Sequence, residues 1–272
     1  MSSDYAVELA KFSPASRKVP LISIHRVSKT YETRRGEKVL AIGEVNLDIA
    51  DQEFVSLIGP SGCGKSTLLH VAAGLLEPTS GEVLVRGENR AIRAKEFGMV
   101  FQDPVLFPWL TIREHVEMPA EVLGLRKSVY KPRADQLLEL VGLAGCRYMY
   151  PHELSGGMQQ RASIARAMVH DPELLLMDEP FGAVDAITRE NLNIELHRIR
   201  TLARKTVLFV THSIPEAVFL SNRVVVMSSK PSQVRAVIDI DLPASRNPDL
   251  IESTEFNELV RKIHRELARY GG

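Results

Sequence analysis

Residues 59–66 read Gly59-Pro60-Ser61-Gly62-Cys63-Gly64-Lys65-Ser66, the spacing Gly-x-x-x-x-Gly-Lys-Ser. The apolar run Phe54 to Ile58 precedes this stretch and the helical run Thr67 to Ala73 follows it. Strand, glycine-rich turn and helix start, in that order, wrap backbone N–H groups around an anion and set the positive end of the helix dipole behind them. Lys65 then reaches the outer phosphates of a nucleotide, the Ser66 hydroxyl can ligate Mg²⁺, and Thr67 supports a neighbouring phosphate. A chance glycine turn lacks that flanking order. Cys63 sits at a helix start, where a thiol can become acidic, yet its backbone N–H alone accounts for its place in the loop.

Working outward, Val45, Leu47 and Ile49 alternate with Asn46 and Asp48, the period of a half-buried strand. Residues 53–58, 82–86, 99–101, 174–177, 206–210 and 223–227 are short β-branched or apolar runs, several too uniformly apolar for a sheet with one wet face. Helical stripes appear at Ala134, Leu137, Leu138 and Val141, with Pro132 expected near the first turn, at Leu192, Leu196 and Ile199, and from Phe256 to Leu267. Strands thus cluster at 21–101 and 174–240, and 111–170 is mostly helical. The expectation is an α/β fold with a helical insertion in a strand-rich core.

A phosphate loop specifies nucleotide, not reaction. The apolar strand at 174–177 runs into Asp178 and Glu179, two carboxylates at a strand terminus, where parallel sheets form ligand sites. Asp178 is placed to orient a Mg²⁺ shell and Glu179 to polarise an attacking water, and phosphoryl transfer needs little more than positioning and charge. Upstream lies Leu154-Ser155-Gly156-Gly157-Met158-Gln159 ahead of a helical run to Met168. Alone it reads as an ordinary helix cap.

Together these stretches resemble the ATP-binding-cassette (ABC) family, whose signature is Leu-Ser-Gly-Gly-x-Gln, and the resemblance runs from about Leu21 to Leu242. It implies a P-loop NTPase (RecA-like) core with an antiparallel β subdomain and an inserted α-helical subdomain. The implied division is a loose lead-in at 1–20, an ATPase domain at 21–245 with its helical subdomain at about 104–160, and a C-terminal helical extension at 246–272. The ATP-binding residues it implies are Tyr31, stacked on adenine, Gly59, Pro60, Ser61, Gly62, Cys63, Gly64, Lys65, Ser66, Thr67, Gln102, Ser155, Gly156, Gly157, Gln159 and Asp185. Ser66, Gln102 and Asp178 would serve Mg²⁺, and Glu179 and His212 would be catalytic. Position alone lifts His212 above the other seven histidines. Trp109 suits either a core aromatic or an apolar contact surface after Gln102, where the family docks its membrane partner.

The stretches at 102–110 and 217–228 resemble the importer subgroup for nitrate, sulfonates, taurine and related solutes; pyrimidine and riboflavin-type importers look similar. Ser213, Asn222 and Val184 depart from the commonest pattern without removing a catalytic group. The resemblance implies a head-to-tail homodimer with ATP between one subunit's phosphate loop and the other's Ser155 to Gln159, a separate integral-membrane permease, and an extracytoplasmic solute-binding protein. Apolar stretches such as 174–177 and 224–227 hold four residues each, against roughly 20 for a bilayer span. The expected location is therefore the cytoplasmic face of the membrane, as a peripheral subunit.

Composition sets the outer bounds. The 272 residues carry 34 basic and 34 acidic side chains, a net charge of zero, which gives no support to a nucleic-acid partner. Two cysteines make no disulfide framework and suit a reducing compartment. Cassette proteins of DNA repair or translation are the alternative class. Repair types carry a long coiled coil between phosphate loop and signature, and translation types carry two cassettes. A regulatory module that holds ATP without turnover is disfavoured by Glu179 and His212.

Overall fold

The computed structural model describes residues 19–33, 35–182 and 184–270; most of the lead-in read over 1–20, and Gly271 and Gly272, lie outside the described residues. In chain order the strands are β1 (Ile22–Glu32), β2 (Lys38–Ile49), β3 (Phe54–Ile58), β4 (Ser80–Val85), β5 (Phe97–Val100), β6 (Leu174–Asp178), β7 (Thr206–Val210), β8 (Arg223–Met227) and β9 (Val234–Asp239). The α-helices are α1 (Lys65–Ala72), α2 (Ile112–Val122), α3 (Lys127–Leu140), α4 (Gly156–Met168), α5 (Ala186–Ala203), α6 (Ile214–Leu220) and α7 (Thr254–Tyr270).

The larger sheet has the order β5-β6-β7-β3-β8-β9, parallel except for the edge strand β9. Its apolar strands divide their side chains between two cores, as the uniform runs predict. Phe54 and Ile58, Leu175 and Met177, Val207 and Phe209, and Val224 and Val226 enter one core with α2 to α7. Val55 and Leu57, Leu174 and Leu176, Leu208 and Val210, and Val225 and Met227 enter the other, against α1 and the smaller sheet. Each such side chain contributes about 1.5–3 kcal/mol when fully buried.

The smaller sheet is antiparallel, in the order β2-β1-β4. Sequence periodicity finds only the Val45 to Ile49 end of β2. In β1 the alternation of Ile22 and Ile24 slips one residue before Val27, where the register shifts and Arg26 takes φ +49°. A bulge of this kind turns the apolar set back onto the core and erases the period of two.

Between β5 and β6 the chain is helical, α2, α3 and α4 packing through Val116, Ala120, Tyr130, Leu138, Ala162 and Ala165. Pro132 is not in a first turn. The helix α3 begins at Lys127, after Gly124 at φ +70°, so the proline falls in its second turn. Helix α7 lays Phe256 and Ile263 into the core, and its last turn meets the loop after β8: Ser229 N donates to Tyr270 O (3.4 Å) and Arg235 lies over the Tyr270 ring. The same loop supplies Ser232, whose Oγ donates to Ala41 O at 3.1 Å and would lie 3.1 Å from a Cβ on Gly64.

Three histidines are built in as neutral rings. His115 Nε2 accepts from Phe107 N at 2.7 Å while Nδ1 donates to Thr111 O at 2.8 Å, so a second ring proton would face an N–H. In His170 and His197 the Nε2 bonds a carbonyl and the buried Nδ1 has no partner. Burial lowers all three pKa values. Below about pH 6.5 the unfolded chain takes up protons that the folded chain refuses, so stability is full above that pH and falls beneath it. Asp178 and Glu216, raised by burial, act in the opposite sense, the relief being complete only near about pH 4. The urea midpoint is expected to be lower at about pH 5.8 than at about pH 7.5; an equal or higher midpoint would contradict the neutral assignment.

Candidate active site

Four adjacent strands deliver their carboxyl ends to one place. The strand β7 lies between β6 and β3, with Val210 opposite both Asp178 and Leu57, and Val100 of β5 pairs with Met177. With neighbouring strands about 4.8 Å apart, residues following Val100, Met177, Val210 and Ile58 are neighbours by construction. They are Gln102, Asp178 and Glu179, His212, and the loop 59–66.

The loop passes into α1 through Gly64, the residue before the helix, at φ +103°. A side chain there would be strained by that angle and would press on Ser232 Oγ and Ala41 O at 3.1 and 3.2 Å. Lys65, 5% exposed, turns its Nζ back to the carbonyls of Gly59 (2.9 Å) and Pro60 (3.1 Å) and lies 4.0 Å from Glu179 Oε1. Ser66 Oγ donates to Asp178 Oδ1 at 2.8 Å. Burial raises the Asp178 carboxyl above its ordinary range, and the Ser66 bond pulls against it.

Glu179 is held in an unusual backbone state, φ +44°, with its N–H on Val210 O (2.9 Å) and its carbonyl accepting from Gly182 N (3.0 Å). Such a conformation in a non-glycine residue costs free energy that the surroundings must supply. It turns the carboxylate between Lys65 and His212, whose Nδ1 lies 3.2 Å from Glu179 Oε2. Gln102 Nε2 would lie 3.3 Å from a Cβ on Gly182, so its amide reaches the same turn.

The remaining sequence-predicted residues have contacts of their own. Ser155 caps α4 by accepting from Met158 N (3.4 Å), and Gln159 spends its amide on Pro151 O and Leu154 O. Among the described residues no hydrogen bond or ion pair joins this turn to the loop 59–66. Asp185 caps α5, accepting from Thr188 N at 3.0 Å. Tyr31, on β1, is exposed, with Lys29 Nζ 5.5 Å from its ring centroid.

Trp109 is not a core aromatic. It is 69% exposed and stacks on Phe107 at 5.2 Å, which stacks in turn on His115. The segment carrying Gln102 and this pair is gripped from α4. Gln160 donates to Phe101 O (3.1 Å), and Arg166 donates to Val105 O (2.7 Å) and Pro104 O (2.9 Å). Likewise Arg189 donates to Phe181 O (3.2 Å) and Val184 O (3.0 Å), fixing the turn that follows Glu179. Sequence reading misses these holding residues, because an arginine or glutamine on a helix carries no mark of the carbonyl it will meet.

The family profile for ABC transporters matches residues 42–182, over half of the chain. The chain belongs to the ABC transporter family. The cassette is 46% identical over 224 residues to an ATP-binding protein of Brucella abortus, covering 82% of this chain and 86% of the relative. It is 43% identical over 251 residues to the aliphatic sulfonates import ATP-binding protein SsuB of Bacillus cereus, covering 92% and 97%. Among solved structures it matches the dimeric bacterial ABC transporter cassette MJ0796, with 35% identity, a TM-score of 0.72, and coverage of 82% of this chain and 100% of that one. MJ0796 has also been solved in a post-hydrolysis state bound to ADP and Pi. The cassette is an ATPase with the P-loop NTPase fold.

Two features separate this cassette from a simple reading of its motifs. Cys63 is buried, and desolvation pushes its thiol up rather than down, the reverse of a reactive thiolate. Ser213 and Asn222, which depart from the commoner residues, both do local work: Ser213 caps α6 by accepting from Glu216 N, and Asn222 Oδ1 accepts from Phe54 N at 2.9 Å.

Proposed function

We propose that this cassette hydrolyses ATP to drive an importer for a small solute of the nitrate, sulfonate or taurine kind, through a separate permease. The observation that carries the reading is the pairing of a hydrolytic cluster with the uncovered Phe107–Trp109 stack on the segment that bears Gln102. Similarity to a sulfonate importer's ATP-binding protein over 92% of this chain supports the solute class.

In this reading the N–H groups of 61–66 and the Lys65 ammonium cradle the phosphates, and Tyr31 stacks on adenine. Ser66 and Asp178 offer hard oxygens, with Gln102 beside them, a set that suits Mg²⁺ completed by phosphate and water. Bound there, the ion would neutralise charge developing on the β and γ oxygens. Glu179 takes the proton of the attacking water, and His212 holds the Glu179 carboxylate and the γ-phosphate. Ser155, Gly156, Gly157, Gln159 and Asp185 face the nucleotide of a second copy in a head-to-tail homodimer. The dimeric form of MJ0796 supports a dimer. Among the described residues no helix is long and apolar enough to cross a membrane, so the transport path belongs to the permease, with an extracytoplasmic binding protein supplying solute. The cassette then works peripherally, at the cytoplasmic face.

The test is reconstitution of the cassette with its permease and binding protein in proteoliposomes, following alkanesulfonate, taurine and nitrate uptake. Uptake of one of them should require ATP and vanish in Lys65→Ala. That variant should also bind a fluorescent ATP analogue at least about tenfold more weakly, since charge-assisted bonds contribute about 1.5–3 kcal/mol each. ATP-dependent uptake of none would overturn the solute class; unchanged nucleotide affinity would overturn the role of Lys65.

A further inference from the structure

One buried acid near the site has no place in the scheme above. Glu216 lies in the first turn of α6, four residues beyond His212, and is only 4% exposed. Its Oε2 accepts a short hydrogen bond from Thr211 Oγ1, itself 2% exposed, and Thr211 Oγ1 accepts from Ser213 N at 3.0 Å. Ser213 Oγ accepts from Glu216 N at 3.4 Å. His212 is thus the middle residue of a three-residue segment whose two flanking side chains are both tied to Glu216.

The other side of Glu216 faces α5. Asn193 and Arg189 line the same cavity as Glu216, the Arg189 charge favouring its ionised form, and Glu216 Oε1 and Asn193 Oδ1 are buried with no hydrogen-bond partner. A turn of the Asn193 amide, whose N and O are assigned from hydrogen bonding alone, brings its N–H to Oε1. Arg189 in turn holds the backbone at Phe181 and Val184, just past Glu179. A cavity of about 160 Å³ borders Glu216 between α5, α6 and Ile251. Packing is therefore incomplete on that side, and hydrogen bonds provide the restraint.

We propose that Glu216 is a positioning residue for hydrolysis: through Thr211 and Ser213 it fixes the His212 segment, so that His212 is held at its 3.2 Å contact with Glu179 as the two approach the γ-phosphate. This rests on the roles given above to Glu179 and His212. Burial raises the Glu216 carboxyl, and the Thr211 hydrogen bond and the nearby Arg189 charge draw it down, which accords with a carboxyl kept in place by its partners.

The test measures kcat, affinity for a fluorescent ATP analogue and thermal midpoint for Glu216→Ala, Glu216→Gln and Thr211→Val, each in the parent and in a His212→Ala background. Glu216→Ala and Thr211→Val should lower kcat by about tenfold or more with affinity within about twofold, while Glu216→Gln, which still accepts from Thr211, recovers most of the rate. In the His212→Ala background the same changes should cost less than about twofold, because residues that act through one another are not additive. A rate within about twofold of the parent for folded Glu216→Ala or Thr211→Val overturns the proposal, and so does an undiminished loss in the His212→Ala background. If Glu216→Ala does not fold, Thr211→Val carries the same comparison. Failure of the underlying site is read separately: His212→Ala alone would then leave the parental rate unchanged.

Discussion

Glu179→Gln is expected to lower kcat for ATP by about 10² to 10⁴-fold, the range that a general base contributes, while nucleotide affinity stays the same or tightens. The substitution keeps the shape of the side chain and leaves an oxygen for the His212 Nδ1 contact, now at 3.2 Å, so the strained turn at φ +44° is retained. What disappears is the negative charge 4.0 Å from Lys65 Nζ. That charge would otherwise repel the γ-phosphate, so its loss costs the ground state nothing and costs the transition state its proton acceptor. A single-turnover assay measures the chemical step, and size exclusion with ATP should find the variant as a dimer. Hydrolysis at the parental rate would remove Glu179 from the mechanism.

Gly98→Ala is expected to be strongly destabilising although it adds a single methyl group. A Cβ at Gly98 would stand 2.0 Å from Ala167 O and 2.9 Å from its carbonyl carbon, contacts that no rotamer can relieve because both partners are backbone. Either β5 or α4 must move. Moving α4 displaces Gln160 and Arg166, which hold Phe101, Pro104 and Val105 around Gln102. Overpacking of this severity costs more than about 3 kcal/mol, or roughly 10 °C in thermal midpoint for a chain of this size. A midpoint within about 2 °C of the parent by circular dichroism would mean that the sheet and helix separate more easily than their backbone contact implies.

The parts of the site that the sequence discloses are those whose chemistry is local. Gly59 to Ser66 declares itself because strand, turn and helix start are contiguous, and Asp178 and Glu179 because they end an apolar run. His212 becomes legible only through resemblance, since a histidine after a strand has no local signature; three others are buried neutral rings with structural hydrogen bonds. Gln160 and Arg166 are invisible for a related reason, since each acts on backbone carbonyls from another part of the chain; Arg189 and Glu216 act on near neighbours, but only across turns whose shape the sequence does not declare. The bulge at Arg26 hides β1 by breaking its period, and Pro132 misleads because a proline is tolerated in the second turn of α3 as well as the first. Trp109 divides evenly by type between core and surface, and only three-dimensional neighbours assign it to the surface.

The strand order β5-β6-β7-β3 has a thermodynamic corollary. Residues 59–66, 102, 178–179 and 212 become neighbours only when four strands are paired, so the unfolded chain offers ATP no comparable site. Nucleotide is then a ligand of the native state alone, and at a hundredfold excess over its Kd it adds about 2.7 kcal/mol to the free energy of unfolding. For this cassette the cell's ATP pool is both fuel and a standing contribution to keeping the chain folded, one that weakens whenever the pool falls.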